Sequence, residues 1–221
     1  KPDYSVDSNI TAEGIINRYI NLIGGKENLE EVQSIELKGS ADLNMQGQSF
    51  KLEFYSLKNN QNQSLSTVSA GGMQVQKSVF NKDQGYNVVN GQKIILSEEE
   101  LEQALTDSKL FSELTYDYEI VKLVGSSTID NQKVYEIKIS DNNTEYYSIE
   151  TGLKVKEVEN QLIDGNQITI ETTIKEYQEV NGILIPSEIN QVTPAVPIPG
   201  GITIKFNTIE LNVESSDSDF N

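Results

Sequence analysis

The chain has 221 residues, enough for one large all-β or α+β domain or two small ones, and carries 34 acidic against 17 basic residues for a net charge of −17. That balance repels phosphate backbones and anionic lipid surfaces, and with Arg18 as the sole Arg it argues against a nucleic-acid partner. Cys and His are absent, which excludes disulfides, Cys nucleophiles, His-based triads and thiolate or imidazole metal sites, so neither a cofactor nor a metal is expected.

In chain order, Lys1-Pro2-Asp3 reads as a cut inside a longer chain and residues 1–10 as a polar linker. There is no charged-then-apolar leader, so a signal peptide is absent or already removed, and no run approaches the ~18 apolar residues of a transmembrane helix. Thr11 is a helix N-cap, with Glu13 well placed against the helix dipole. Ile15, Ile16, Tyr19, Ile20, Leu22 and Ile23 fall on one broad apolar face, and Gly24-Gly25 supplies the left-handed stop. Residues 26–32 add a short second turn with Leu29 and Val32 facing in.

At Ser34 the period changes to two. Ile35, Leu37, Gly39, Ala41 and Leu43 alternate with polar residues, and after a turn at 44–47 so do Phe50, Leu52 and Phe54. A strand with Met73, Val75 and Val79 follows, then 86–89, the hairpin dipeptide Asn90-Gly91, and 93–96. Ser97–Glu100 is a capping box that opens a helix with a narrow stripe of Leu101, Ala104 and Leu105. Leu110, Phe111 and Leu114 form an apolar plug in a loop. Later strands are predicted over 117–124, 133–139, 145–149, 153–159, 167–176, 183–192 and 202–213, separated by turn residues such as Asp130-Asn131, Asp164-Gly165 and Asn181-Gly182. The run Thr193–Gly201 holds three Pro in six residues and is a rigid loop. Residues 214–221 read as a freely moving acidic tail.

This pattern predicts an α+β, mainly-β fold: one domain over 11–213, an antiparallel meander curved into an unclosed barrel, with helices covering its concave face. The inner apolar face would be lined by Leu37, Phe50, Leu52, Phe54, Val75, Val79, Ile137, Ile139, Ile170 and Ile174, beneath a lid made by Ile16, Tyr19, Ile20 and Ile23. Such a face is either a filled core or a pocket for an acyl chain or apolar peptide.

Other residue groups read more blandly. Carboxylates sit on the polar sides of strands or at helix starts, and no pair marks a glycosidase cleft, so no catalytic residue is assigned. Asp141–Glu145 and Asp217–Asp219 lack the ligand spacing of a calcium loop. The Gly pairs lack the Lys-Ser/Thr of a phosphate loop. Tyr116, Tyr118, Tyr135, Tyr146 and Tyr147 form either a sugar-stacking platform or a half-buried sheet face.

The opening stretch IINRYINLIGGKENLEEVQSIELKG, residues 15–39, resembles the start of LolA-like outer-membrane lipoprotein-sorting domains of the bacterial envelope. QKSVFNKDQGYNVVNGQKIILSEEELEQAL, KLFSEL, YYSIETGLKVKEVE, IKEYQEVNGILIPSEI and the final SSDSDFN are similar to the version at the C-terminus of insulinase-type zinc peptidases in Bacteroidetes-like bacteria. The resemblance covers roughly residues 11–221 and implies an unclosed barrel of about eleven strands with a helical lid over an apolar cavity. It further implies a non-catalytic, periplasmic or envelope domain binding lipid, lipoprotein acyl chains or another hydrophobic ligand. Alternatively it implies an accessory interaction domain linked to an upstream peptidase module. The sorting carriers hold the closed lid with an Arg in the barrel strands, whereas Arg18 lies in the opening helix.

Overall fold

Thr11 caps the first helix, its hydroxyl accepting from the Gly14 N–H at 3.1 Å, in a computed structural model that describes residues 9–45, 48–163, 166–194 and 198–221. Most of the expected linker, part of the 44–47 turn, Asp164-Gly165 and the middle of the Pro-rich run lie outside those residues. The helices are α1 (Ala12–Ile23), α2 (Lys26–Glu30) and α3 (Glu98–Asp107). Thirteen strands occur among the described residues. They are β1 (Ser34–Met45), β2 (Gln48–Asn59), β3 (Ser64–Ala70), β4 (Met73–Phe80), β5 (Gly85–Val89), β6 (Gln92–Ile95) and β7 (Lys122–Ile129). The rest are β8 (Gln132–Lys138), β9 (Asn143–Ser148), β10 (Lys154–Ile163), β11 (Asn166–Val180), β12 (Ile183–Val192) and β13 (Ile202–Leu211).

The predicted class holds: the fold is mainly β, with antiparallel ladders in an unclosed sheet. The strands number thirteen against the about eleven that the resemblance implies, and β3 is not among the strands predicted from the sequence. β3 reads SLSTVSA, a Ser-rich sequence whose period is hidden because neither face is strongly apolar. Of the predicted 117–124 strand, 117–121 is a turn, with the Val121 N–H bonded to the Asp117 carbonyl, and β7 begins only at Lys122. The hairpin dipeptides behave as expected. Asn90-Gly91, Asp130-Asn131 and Asn181-Gly182 all have both φ angles positive, the geometry that matches strand twist across a two-residue loop.

The chain divides into two compact units. Unit 1 comprises Lys1–Glu30, Glu113–Gln161 and Gln167–Gly201, and unit 2 comprises Glu31–Ser112, Leu162–Asn166 and Ile202–Asn221. In unit 1 the strand order is β12-β11-β10-β9-β8-β7, with α1 packed against β12. Ile15, Ile16, Tyr19, Ile20 and Ile23 are buried, each Ile worth about 1.5–3 kcal/mol of apolar transfer. Leu22, predicted on this face, is 43% exposed at the edge of the buried arc. The helix stops at Gly24-Gly25, where the Gly25 N–H reaches the Ile20 carbonyl at 2.9 Å.

In unit 2 the order is β6-β5-β4-β3-β2-β1-β13, with α3 against β4. The capping box of α3 forms as read: Ser97 Oγ accepts from the Glu100 N–H while the Glu100 carboxylate accepts from the Ser97 N–H. The free-tail expectation for 214–221 does not hold. Asp217–Phe220 form a 3₁₀ turn, and Phe220 is completely enclosed with Leu57, Val79 and Tyr86 because an aromatic ring gains more by burial than its acidic neighbours lose. Among the described residues no helix is long and apolar enough to cross a membrane.

Candidate functional site

Cross-strand partners share a sheet face, so the registers sort the predicted lining residues. In unit 2, Gly39 pairs with Phe54, Ala41 with Leu52 and Leu43 with Phe50, while Phe54 and Leu52 pair onward with Val68 and Ala70 of β3. Leu37 lies on the same face, and α3 covers part of it. A Cβ on Gly85 would meet Leu96 and Leu101 at 2.7 and 3.1 Å. The result is a continuous apolar row. Leu37, Leu52, Phe54 and Val68 are half-buried, and Phe50 is 45% exposed.

Val79 is not part of this row. It pairs with Leu65 and Tyr86, on the opposite face, and is buried there against Phe220. The reason is local. Val79 and Phe80 are adjacent apolar residues on one strand and must point to opposite sides, and Phe80 takes the α3 side, near the position of the missing Gly85 Cβ. Val75 is half-buried beside the register shift where β4 meets Val68 and Ser69.

In unit 1 the four residues predicted as a lid, Ile16, Tyr19, Ile20 and Ile23, are all buried, and Ile137 is fully enclosed. Ile139, Ile170 and Ile174 are half-buried. Gly24 sits close against Ile183 of β12, where a Cβ would come within 3.1 Å of the Ile183 side chain. Arg18 projects from the other side of α1 and donates to the carbonyls of Ile149 and Glu150 at 3.0 and 2.9 Å, in the turn after β9. Gly152 makes room for this contact: its φ is +80°, and a Cβ there would lie 2.7 Å from both Arg18 and Leu22. The only Arg therefore fastens the helix to the sheet from the helix side.

Under α1 lies a charged cluster that sequence reading did not find. The Lys154 ammonium is 2.8 Å from Glu113 and 2.7 Å from Glu145, with Glu157 at 3.9 Å. Glu145 accepts from Lys154 and the Tyr116 hydroxyl on one oxygen and from the Tyr147 hydroxyl on the other. The Tyr177 hydroxyl donates to the Lys154 carbonyl at 2.8 Å and is hydrogen-bonded in turn to Tyr19. The Tyr19 ring meets Tyr147 edge-on at 5.3 Å, and the Lys154 ammonium lies 5.9 Å from its centroid. Glu113, Glu145 and Lys154 are all buried.

Two carboxylates against one ammonium leave net negative charge in a dry site, which disfavours a second ionised carboxylate. Burial, aided by Glu113 and Glu157 and opposed by Lys154, raises the Glu145 pKa to about 7. For Lys154 burial alone would lower the pKa, but Glu113, Glu145 and Glu157 outweigh it and hold the ammonium charged. Burial raises Tyr19 and Tyr147 well above the usual phenol range. The detectable signal in the sequence was the i, i+2 pair Glu145 and Tyr147: both share a face, and Tyr147 is apolar enough to demand burial, so Glu145 goes in with it.

The Tyr group divides. Tyr147 and Tyr135 are cross-strand partners on the helix-covered face, Tyr146 pairs with Glu136 on the other, and Tyr116 and Tyr118 lie outside the strands. No single aromatic platform results.

No protein-family model and no curated protein matches this sequence. Three solved structures are similar along nearly their whole length. A LolA superfamily protein from Nitrosomonas europaea aligns with a TM-score of 0.58 at 11% identity, covering 96% of this chain and 98% of its own. A DUF1329 family protein from Desulfovibrio piger gives 0.55 at 11% identity, covering 95% and 96%. A putative outer membrane lipoprotein-sorting protein domain from Vibrio parahaemolyticus gives 0.52 at 12% identity, covering 88% and 92%. The chain has a LolA-like fold.

Proposed function

We propose that this chain is a non-catalytic binding domain of the bacterial envelope that takes up a hydrophobic ligand: a lipid, a lipoprotein acyl chain or a molecule of similar character. The observation that carries this reading is the apolar row on unit 2, in which Leu37, Phe50, Leu52, Phe54 and Val68 keep part of their surface open to solvent. Large apolar side chains left half-covered side by side cost free energy unless something covers them in use. An acyl chain suits a row of this kind, since it needs area and no hydrogen-bond partner. The LolA-like fold supports the reading. The same fold kinship supports a periplasmic location.

Native mass spectrometry of the purified chain, together with titration by a lipophilic fluorescent dye, tests the proposal. We expect a co-purifying lipid or saturable dye uptake, and loss of uptake in a Leu52→Lys, Phe54→Asp variant that still unfolds cooperatively. A folded protein that carries no lipid and takes up no dye sinks the reading. The segments similar to peptidase-associated domains support a second placement, as an accessory domain behind an envelope zinc peptidase. A zinc-peptidase module encoded directly upstream of Lys1 is its test.

A further inference from the structure

The Ser/Asp-rich segment 214–221 is seated on unit 2, on the opposite face of the strands from the apolar row. Asp217–Phe220 make a 3₁₀ turn closed by the Asp219 carboxylate, which accepts from the Ser216 N–H at 2.7 Å. The Phe220 ring fills a pocket of Leu57, Val79 and Tyr86, rimmed by Tyr55, Leu65 and Val88, and is wholly enclosed. Three polar groups fix the segment around the ring. Asn81 Nδ2 donates to the Phe220 carbonyl at 3.0 Å, the Tyr86 hydroxyl to the Asn221 carbonyl at 3.1 Å, and Gln63 Nε2 to Asp217 at 3.0 Å. Lys77 and Lys93 lie over the Tyr86 ring, 5.6 and 3.8 Å from its centroid, and put positive charge beside the pocket on a chain of net charge −17.

The segment is attached as a ligand would be. β13 ends at Leu211, Asn212 turns the chain with a φ of +60°, and 213–216 contain no helix or strand. One buried aromatic anchor, a few bonds to main-chain carbonyls and a charged rim are the anatomy of a short-peptide site, where a single residue carries most of the binding. We infer that the Tyr86 pocket is a recognition site for acidic peptides of the pattern Asp-x-Asp-Phe, filled here by the chain's own residues. A partner carrying that pattern engages the site by displacing the tethered segment. The tether sets a local concentration on the order of mM, so the intact chain is self-occupied at rest.

The experiment uses a chain ending at Val213 and a fluorescein-labelled peptide of residues 214–221, followed by anisotropy. We expect saturable one-to-one binding, at least about ten-fold weaker for the Phe220→Ala peptide and weaker again with Lys93→Glu protein or raised ionic strength. The intact chain should bind far less peptide than the shortened one. Absence of saturable binding by a shortened chain that keeps its cooperative urea transition overturns the inference, as does equal binding of the Phe220→Ala peptide. If the shortened chain does not fold, a protease site placed between Val213 and Ser216 allows the segment to be cut in the folded protein. The cut segment should then exchange with labelled peptide, and a segment that departs at once or never exchanges overturns the inference.

Discussion

The ammonium of Lys154 lies 2.7 Å from the Glu145 carboxylate, and Tyr19 of α1 stands over that ammonium at 5.9 Å. Helix α1 thus rests on a buried ionic cluster as well as on aliphatic packing, and the protonation of that cluster bears on how firmly the helix is held.

Stability should fall as pH rises toward neutrality. The folded-state pKa of Glu145 is raised to about 7 from an ordinary 4.5, so the folded state holds a proton that the unfolded chain has released. Its contribution is fully present below pH ~4.5 and is lost as pH rises through about 7. Lys154, Tyr19 and Tyr147 are also raised, but each from an ordinary value above this window, so they add no slope within it. Urea midpoints across this range should decline in the parent and decline less in Glu145→Gln. Equal slopes in the two proteins would refute the assignment.

Lys154→Met should cost about 3–5 kcal/mol, because it strands Glu113 and Glu145 without a counter-charge in a dry site. Adding Glu145→Gln to Lys154→Met should recover part of the loss, since a neutral amide then replaces the carboxyl group left beside Glu113 without Lys154. A double-mutant cycle on unfolding free energies measures the coupling, and an additive result would mean that the pair is not energetically linked.

Arg18→Ala removes two charge-assisted hydrogen bonds between α1 and the turn after β9, a loss of about 1–3 kcal/mol in helix docking. Amide exchange over 12–23 should quicken. Gly152→Ala should act in the same direction, since a left-handed backbone and a 2.7 Å approach to Arg18 both oppose a side chain. Unchanged exchange in α1 for both variants would remove Arg18 from the role of clasp.

Val79 and Phe54 offer a contrast between the two faces of unit 2. Val79→Ala should lower stability by about 1–3 kcal/mol through lost packing on Phe220, with ligand uptake unchanged. Phe54→Asp should do the reverse, abolishing uptake at small cost to the fold, since Phe54 is only half-buried. If Val79→Ala also abolished uptake at a temperature where the protein stays folded, the division of the faces by register would be wrong.

Much of this architecture is local and was legible in order along the chain. The Thr11 cap, the Ser97–Glu100 box, the Gly24 stop and the positive-φ hairpin dipeptides depend on backbone geometry within a few residues, which residue type dictates directly. The period-two runs predicted the face shared by Leu37, Leu52 and Phe54 for the same reason. Where that local signal weakened it failed, as in β3, whose Ser-rich faces have no contrast, and at Val79-Phe80, where adjacent apolar residues leave the parity open.

The sequence by itself therefore determined the kinds of element, their order and the exclusion of thiol and imidazole chemistry, since these follow from residue type and short spacing. Only the tertiary structure decided that Lys154 meets Glu113 across 41 positions, that Arg18 reaches Ile149 across 131, and that Phe220 closes a pocket among residues from β2, β4 and β5. Charged and polar residues are read as exposed one at a time. Whether a particular Glu or Lys goes inside depends on partners far away in the chain that repay its lost hydration, and no local pattern records them.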